Sequence, residues 1–288
     1  LNLHLLLLCR YKSEKRHYMK KYALVIGLAG FLVGCSTYQK AVKSEDTEHQ
    51  LTVANQLYEE GDFRRAANLY ELIEKNDGWK QEREEMFVNY ATALNKRGKY
   101  ELVAPVTQRF NLLFPNSVFK EQMLYMNAKS LYNQSEGYST DQHITLEAIE
   151  QLDEFTRSFP NSSLYIDAQK MKYELNTRLE KKAYENAKLY NTIGEYTRDY
   201  NAAIVALDIF LRDYPSGEFK EDALYYKFDA AYKLAINSIY GRMEERLEQA
   251  INYYNQLISY NENTKYKEEA DEQLERLERE LTQFTKTK

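Results

Sequence analysis

Cysteine is nearly missing from this chain, with two among 288 residues, Cys9 and Cys35, so a disulfide-rich scaffold is excluded. Histidine is almost as scarce. Past residue 35 only His49 and His143 remain, and neither has a second histidine or a cysteine at metal-ligand spacing, which argues against a zinc centre. The four prolines and ten glycines are too few for a turn-rich β architecture, and the Val/Ile/Thr alternation of strands is lacking. Gly-x-Ser-x-Gly and glycine-rich phosphate loops do not occur. There is also no excess of positive charge: 39 Lys and Arg face 44 Asp and Glu, a net charge of −5 that disfavours a phosphate-backbone partner. The acid pairs Glu84-Glu85 and Glu244-Glu245 sit in charge-rich helical stretches and read as solvated faces, not as general acid and base. These absences point away from an enzyme and from any bound metal or organic cofactor.

What is present begins near the N-terminus. Met19-Lys20-Lys21 leads into an apolar stretch from Tyr22 to Gly34, then Cys35. Basic residues, a short apolar segment and small residues before a cleavage point are the parts of a secretory signal peptide, and the stretch is too short to cross a hydrocarbon core of about 30 Å. Leu32-Val33-Gly34-Cys35 resembles the bacterial lipobox, which implies a lipidated Cys35, carrying palmitate, as the first mature residue. Residues 1–18 fit no targeting pattern and read as an upstream extension, 19–34 as the signal, 35–47 as a lipidated tether, and 48–288 as the folded domain.

That domain is rich in Ala, Leu, Glu and Lys and carries internal repeats. Phe114-Pro115, Phe159-Pro160 and Tyr214-Pro215 each end an apolar helical pattern. A small residue and a large one recur before them, as Val103 and Phe110, Ala148 and Phe155, and Ala203 and Phe210. The pair returns at Ala66 and Ile73 and at Ala250 and Leu257. Gly61-Asp62-Phe63 and Gly98-Lys99-Tyr100 join first to second helices. These features resemble the tetratricopeptide repeat, although the spacing runs from 37 residues (Ala66 to Val103) to 55 (Ala148 to Ala203). The fold expected is all-α, a right-handed superhelical solenoid of about five tetratricopeptide-like helix pairs. Longer turns are expected from Tyr132 to His143 and around Tyr240-Gly241-Arg242, a long helix over Leu164–Asn191, and a capping helix over Tyr266–Phe284.

Stacked repeats put their first helices on the concave side. Counting from Ala54, Ala91 and Ala128 places Asn55, Tyr58, Thr92, Asn95, Lys96, Tyr125, Lys129 and Tyr132 there, a candidate groove for an extended peptide. Many of the 26 tyrosines fall at repeat anchor positions, while others suit a partner surface. A two-carboxylate clamp, as found in some tetratricopeptide proteins, is incomplete. Asn55 and Asn89 match its asparagines, but Leu51, Gln122 and Met126 stand at its cationic positions.

Lipobox, tether, repeats and cap together resemble the BamD family, lipoproteins of the outer-membrane β-barrel assembly machine. The stretch from Arg157 through Phe159-Pro160-Asn161-Ser162 to Ala168, the run Tyr184–Tyr190, and Leu211-Arg212-Asp213-Tyr214-Pro215-Ser216 carry the likeness most closely. The resemblance implies a non-catalytic scaffold, lipid-anchored to the outer membrane and facing the periplasm. It implies docking of a BamA-type barrel subunit through the C-terminal repeats and receipt of unfolded outer-membrane proteins. Two other readings compete. A soluble periplasmic tetratricopeptide coordinator of the cell envelope does not need Cys35. A SusD-like glycan-binding lipoprotein needs aromatic sugar platforms, for which Trp79 alone is available.

Overall fold

The computed structural model describes residues 37–77 and 84–286. The leader, Cys35 and Trp79 lie outside the described residues. Every regular element described is helical, and the chain divides into two compact units, Leu1–Gln134 and Ser135–Lys288.

In the first unit α1 (Thr47–Glu59) starts where Asp46 accepts hydrogen bonds from the Glu48 and His49 amides at 3.0 and 3.2 Å. It ends at Gly61, whose φ of +80° is the left-handed conformation that glycine adopts without steric cost. Asp62 then accepts from the Arg65 amide at 3.0 Å and opens α2 (Phe63–Asp77), while the Phe63 ring meets Tyr58 edge-on at 5.5 Å. Gly98, with φ of +68°, makes the same turn between α3 (Glu84–Lys96) and α4 (Tyr100–Leu113). After α4 the Ser117 hydroxyl accepts from the Phe119 amide at 2.9 Å, at the entry to α5 (Lys120–Gln134). Each helix packs on its successor, and the first helices α1, α3 and α5 are also neighbours, the layering of a tetratricopeptide-like solenoid.

The second unit contains α6 (His143–Ser158), α7 (Tyr165–Thr197), α8 (Asn201–Asp213), α9 (Lys220–Ile236), α10 (Tyr240–Tyr260) and α11 (Lys267–Lys286). Sequential packing recurs, with α7 on α9 and α9 on α11. The division after Gln134 falls inside the third expected helix pair. The repeat positions behave as their spacing predicts. Ala66, Val103, Ala148, Ala203 and Ala250 are all fully buried, as are Ile73, Phe110, Phe155 and Leu257, with Phe210 nearly so. Small residues let the helix pair approach, and each large one removes enough apolar surface to contribute about 2 kcal/mol. On α11, Ala270 and Leu277 are buried against the end of the unit, as a capping helix requires.

Three expectations are corrected. Residues 37–43, assigned to the tether, form a helical segment with Ala41 fully buried. The helix expected over Leu164–Asn191 continues to Thr197, because Gly194 leaves room for the Tyr200 ring. A Cβ at Gly194 would lie 2.5 Å from that ring, and Arg198 closes the helix with a left-handed φ of 61°. The turn placed around Gly241 instead precedes α10. Asn237 and Ser238 donate their side chains to the Lys233 and Leu234 carbonyls at 2.8 and 2.6 Å, ending α9 there.

The long turn over 135–142 is held by polar side chains. Gln142 is buried and its Nε2 donates to the Gly137 and Thr140 carbonyls at 2.9 and 3.0 Å. Arg178 on α7 donates to the Ser135 carbonyl at 2.9 Å. Sequence length alone marks this turn, and these ties set its shape.

Candidate partner-binding surfaces

The eight predicted groove residues all lie in the first unit, on the adjacent helices α1, α3 and α5. Lys96 is exposed and the other seven are half-buried. Several have structural work. The Tyr70 hydroxyl, from the fully buried Tyr70 on α2, donates to Asn55 Oδ1 at 2.8 Å and accepts from Asn89. Both clamp-matching asparagines are therefore tied to one tyrosine, and burial pushes its hydroxyl far above the ordinary tyrosine range. Thr92 donates to the Val88 carbonyl of its own helix at 2.8 Å. Tyr58 packs on Phe63 and the core. Lys129 donates to the Tyr125 hydroxyl at 3.0 Å and lies 5.2 Å from that ring. Asn95, Lys96, Tyr125, Lys129 and Tyr132 lie on α3 and α5, so the polar, tyrosine-bearing part of this set concentrates on those two helices.

A second surface lies wholly in the second unit and has no counterpart in the sequence reading. Between α7 and α8 runs an open, mainly apolar groove of about 580 Å³, lined by Ala183, Ala187 and Tyr190 of α7 and by Val205, Ala206 and Ile209 of α8. Its cause is the run of small residues on both helices, which leaves space that larger side chains would fill. Tyr190, Val205 and Ile209 remain 44%, 57% and 45% exposed, and Leu189, Ile193 and Tyr196 add exposed apolar surface along the same helix. Exposed apolar side chains gathered along one groove, as Tyr190, Val205 and Ile209 are, mark an interaction surface more often than an ordinary solvated face. The available signal was the apolar side chains of α7 and α8 that fall off the core stripe.

Elsewhere in the second unit, polar ties join its helices. Asp229 on α9 accepts from Lys233 at 2.8 Å, from Gln273 of α11 at 3.1 Å and from Asn191 of α7 at 3.4 Å. Burial raises the Asp229 carboxyl pKa above the ordinary range, against the pull of Lys233. Glu221 accepts from Thr264, from Asn261 at 3.2 Å and from the Lys265 amide at 3.3 Å, and the Thr264 bond leads in holding its carboxyl below the ordinary range. The Tyr225 and Tyr266 rings stack at 3.8 Å, and Lys188 lies 4.3 Å from the Tyr226 ring.

Among the described residues no group of three or more His, Cys, Asp or Glu is arranged to hold a metal ion, and no helix is long and apolar enough to cross a membrane. A family model named YfiO and described as an outer membrane lipoprotein matches residues 44–198 and 195–285. A search of curated proteins returns no match.

Proposed function

This chain belongs to the YfiO (BamD) family of outer membrane lipoproteins, and from that premise we propose that it is a non-catalytic scaffold of the outer-membrane protein assembly complex. In this reading Cys35 carries the lipid and the folded units face the periplasm. Each acyl CH₂ buried in a bilayer contributes roughly 0.8 kcal/mol, so a multiply acylated cysteine holds the chain at the membrane without any spanning helix. The second unit docks the periplasmic domains of a BamA-type barrel subunit. The first unit receives unfolded outer-membrane proteins along the face of α3 and α5.

The observation that carries the proposal is the reach of the family match through both units, each of which presents its own candidate surface. The two surfaces differ in chemistry. The α7–α8 groove is apolar and walled by two packed helices, suited to a lasting contact. The α3–α5 face is polar and tyrosine-bearing, suited to passing segments of varied sequence. A scaffold that keeps one client and exchanges another needs that division, and joining both on one chain raises the effective concentration of each for the other.

The test is a detergent pull-down of the lipidated, C-terminally tagged protein from its own membranes, read by mass spectrometry. Recovery of a barrel protein with periplasmic repeat domains is expected. Recovery of cell-wall synthesis proteins alone, or of a glycan transporter, would overturn the proposal.

A further inference from the structure

The helical segment 37–43 begins two residues after Cys35, a span that an extended chain cannot stretch beyond about 7 Å. It does not hang free. Ala41 is fully buried, and the half-buried Tyr38 packs on the core, with its hydroxyl accepting from Asn68 at 3.4 Å and its ring 5.7 Å from the Arg65 guanidinium. Gln50, on α1 and fully buried, donates its amide to the Ala41 and Ser44 carbonyls at 3.3 and 2.8 Å. One buried side chain thus fastens the end of this helical segment to the first unit.

The opposite side is of another kind. At 100° per residue, Gln39, Lys40, Val42 and Lys43 fall on one outward arc, and all four are exposed. That arc is cationic and holds one apolar side chain. Lys40 and Lys43 have no ionic partner among the described residues, and the first acid, Glu45, comes only after the helical segment has ended.

We propose that residues 37–43 form a membrane mount. Their outward arc lies against anionic lipid headgroups and holds the first unit at the bilayer, where a loose tether would let it swing. The proposal rests on the lipidation of Cys35 in the reading above, because the anchor brings this arc to the headgroup layer. The charge of the arc is complementary to an anionic surface, and lysines that close to one each favour contact by about fivefold. Val42 is placed to enter the interface as the short apolar side of such a segment does.

The test uses the full lipidated chain in vesicles of phosphatidylcholine, with and without phosphatidylglycerol. A nitroxide is attached at Gln39→Cys, with a control label at Lys96→Cys. Accessibility to a water-soluble nickel chelate and to oxygen is read by spin resonance. The expected result is that the residue 39 label is shielded from the chelate in anionic vesicles, that the control is not, and that K40E/K43E abolishes the shielding while helix content is unchanged. A residue 39 label equally open in both vesicle types, or shielding indifferent to K40E/K43E, overturns the mount. Vesicle flotation and the N-terminal mass of the same sample report acylation separately. A chain without acyl groups overturns the anchor and the mount together, whereas an acylated chain with an open label overturns the mount alone.

Discussion

The two units share one device, and the second adds another. Each must satisfy backbone amides where a helix follows a turn. In the first unit the group that does so is local: Asp46 for α1, Asp62 for α2, Ser117 ahead of α5. In the second unit local caps recur at three starts, where Asp141 accepts from the His143 amide at 2.8 Å, Ser162 from the Leu164 amide at 3.0 Å and Asp199 from the Asn201 amide at 3.0 Å. At the next junction the equivalent residue is Gly217, with no hydroxyl. Glu180, nearly forty residues earlier on α7, reaches into the empty space and accepts from the Phe219 amide at 2.9 Å. A Cβ on Gly217 would lie 2.0 Å from that carboxylate, so glycine and glutamate belong to one arrangement. Glu221 treats the turn before α11 in a similar way. Local caps make turns that stand alone. Distant carboxylates make turns that depend on the whole unit.

The largest effect should come from the deepest tie. Asp229→Ala leaves Lys233, Gln273 and Asn191 without their common partner and should cost about 3 kcal/mol, measured as a shift of the urea midpoint. Next, Glu180→Ala strands the Phe219 amide and should cost about 2 kcal/mol. Adding Gly217→Ser to that variant should recover about 1 kcal/mol, since the serine then caps Phe219 as Ser117 and Ser162 cap their own junctions. A double variant no better than the single would show that the two devices are not equivalent. In the first unit Asp62→Ala should cost only about 1 kcal/mol, the ordinary value of a helix cap. Equal losses from Asp62→Ala and Glu180→Ala would erase the contrast between the local and the distant cap.

The smallest effect concerns pH. Hydrogen bonds led by Thr264 hold the Glu221 carboxyl below its ordinary value of 4.5. A carboxyl lowered on folding contributes stability that is present above its unfolded pKa and lost as pH falls through the folded one. Asp229 has the opposite sign. Its folded pKa is raised above 3.8, so protonation favours the folded state as pH falls from the raised value towards 3.8. Glu221→Gln should therefore flatten the loss of stability below about pH 4.5 in an acid titration followed by circular dichroism. An unchanged titration would remove Glu221 from the account.

The same contrast separates what was legible in the sequence from what was not. Helix class, the repeat positions from Ala66 to Leu257 and the glycine turns at Gly61 and Gly98 depend on neighbours a few residues away, and the structure agrees with each. The extension of α7 past Gly194 depends on the Tyr200 ring, and the capture of residues 37–43 depends on Gln50, a polar residue that composition alone would leave at the surface. Asn55 reads as a groove residue from its register and Asn89 only as a match to a clamp asparagine, yet both turn to Tyr70 of α2. The α7–α8 groove stayed hidden because it is a space left by small side chains on two helices, and pattern reading counts the side chains that fill.

The central claim is that the second unit holds the barrel-forming partner, and the groove is the place to test it. V205E/I209E puts two carboxylates into a surface where both native side chains are about half exposed, so the fold should persist. The lipidated wild-type and variant chains should be compared by quantitative pull-down from matched membranes. The account predicts at least a tenfold loss of the barrel protein, about 1.4 kcal/mol or more of binding, with helix content unchanged. Undiminished recovery by a folded variant would contradict it.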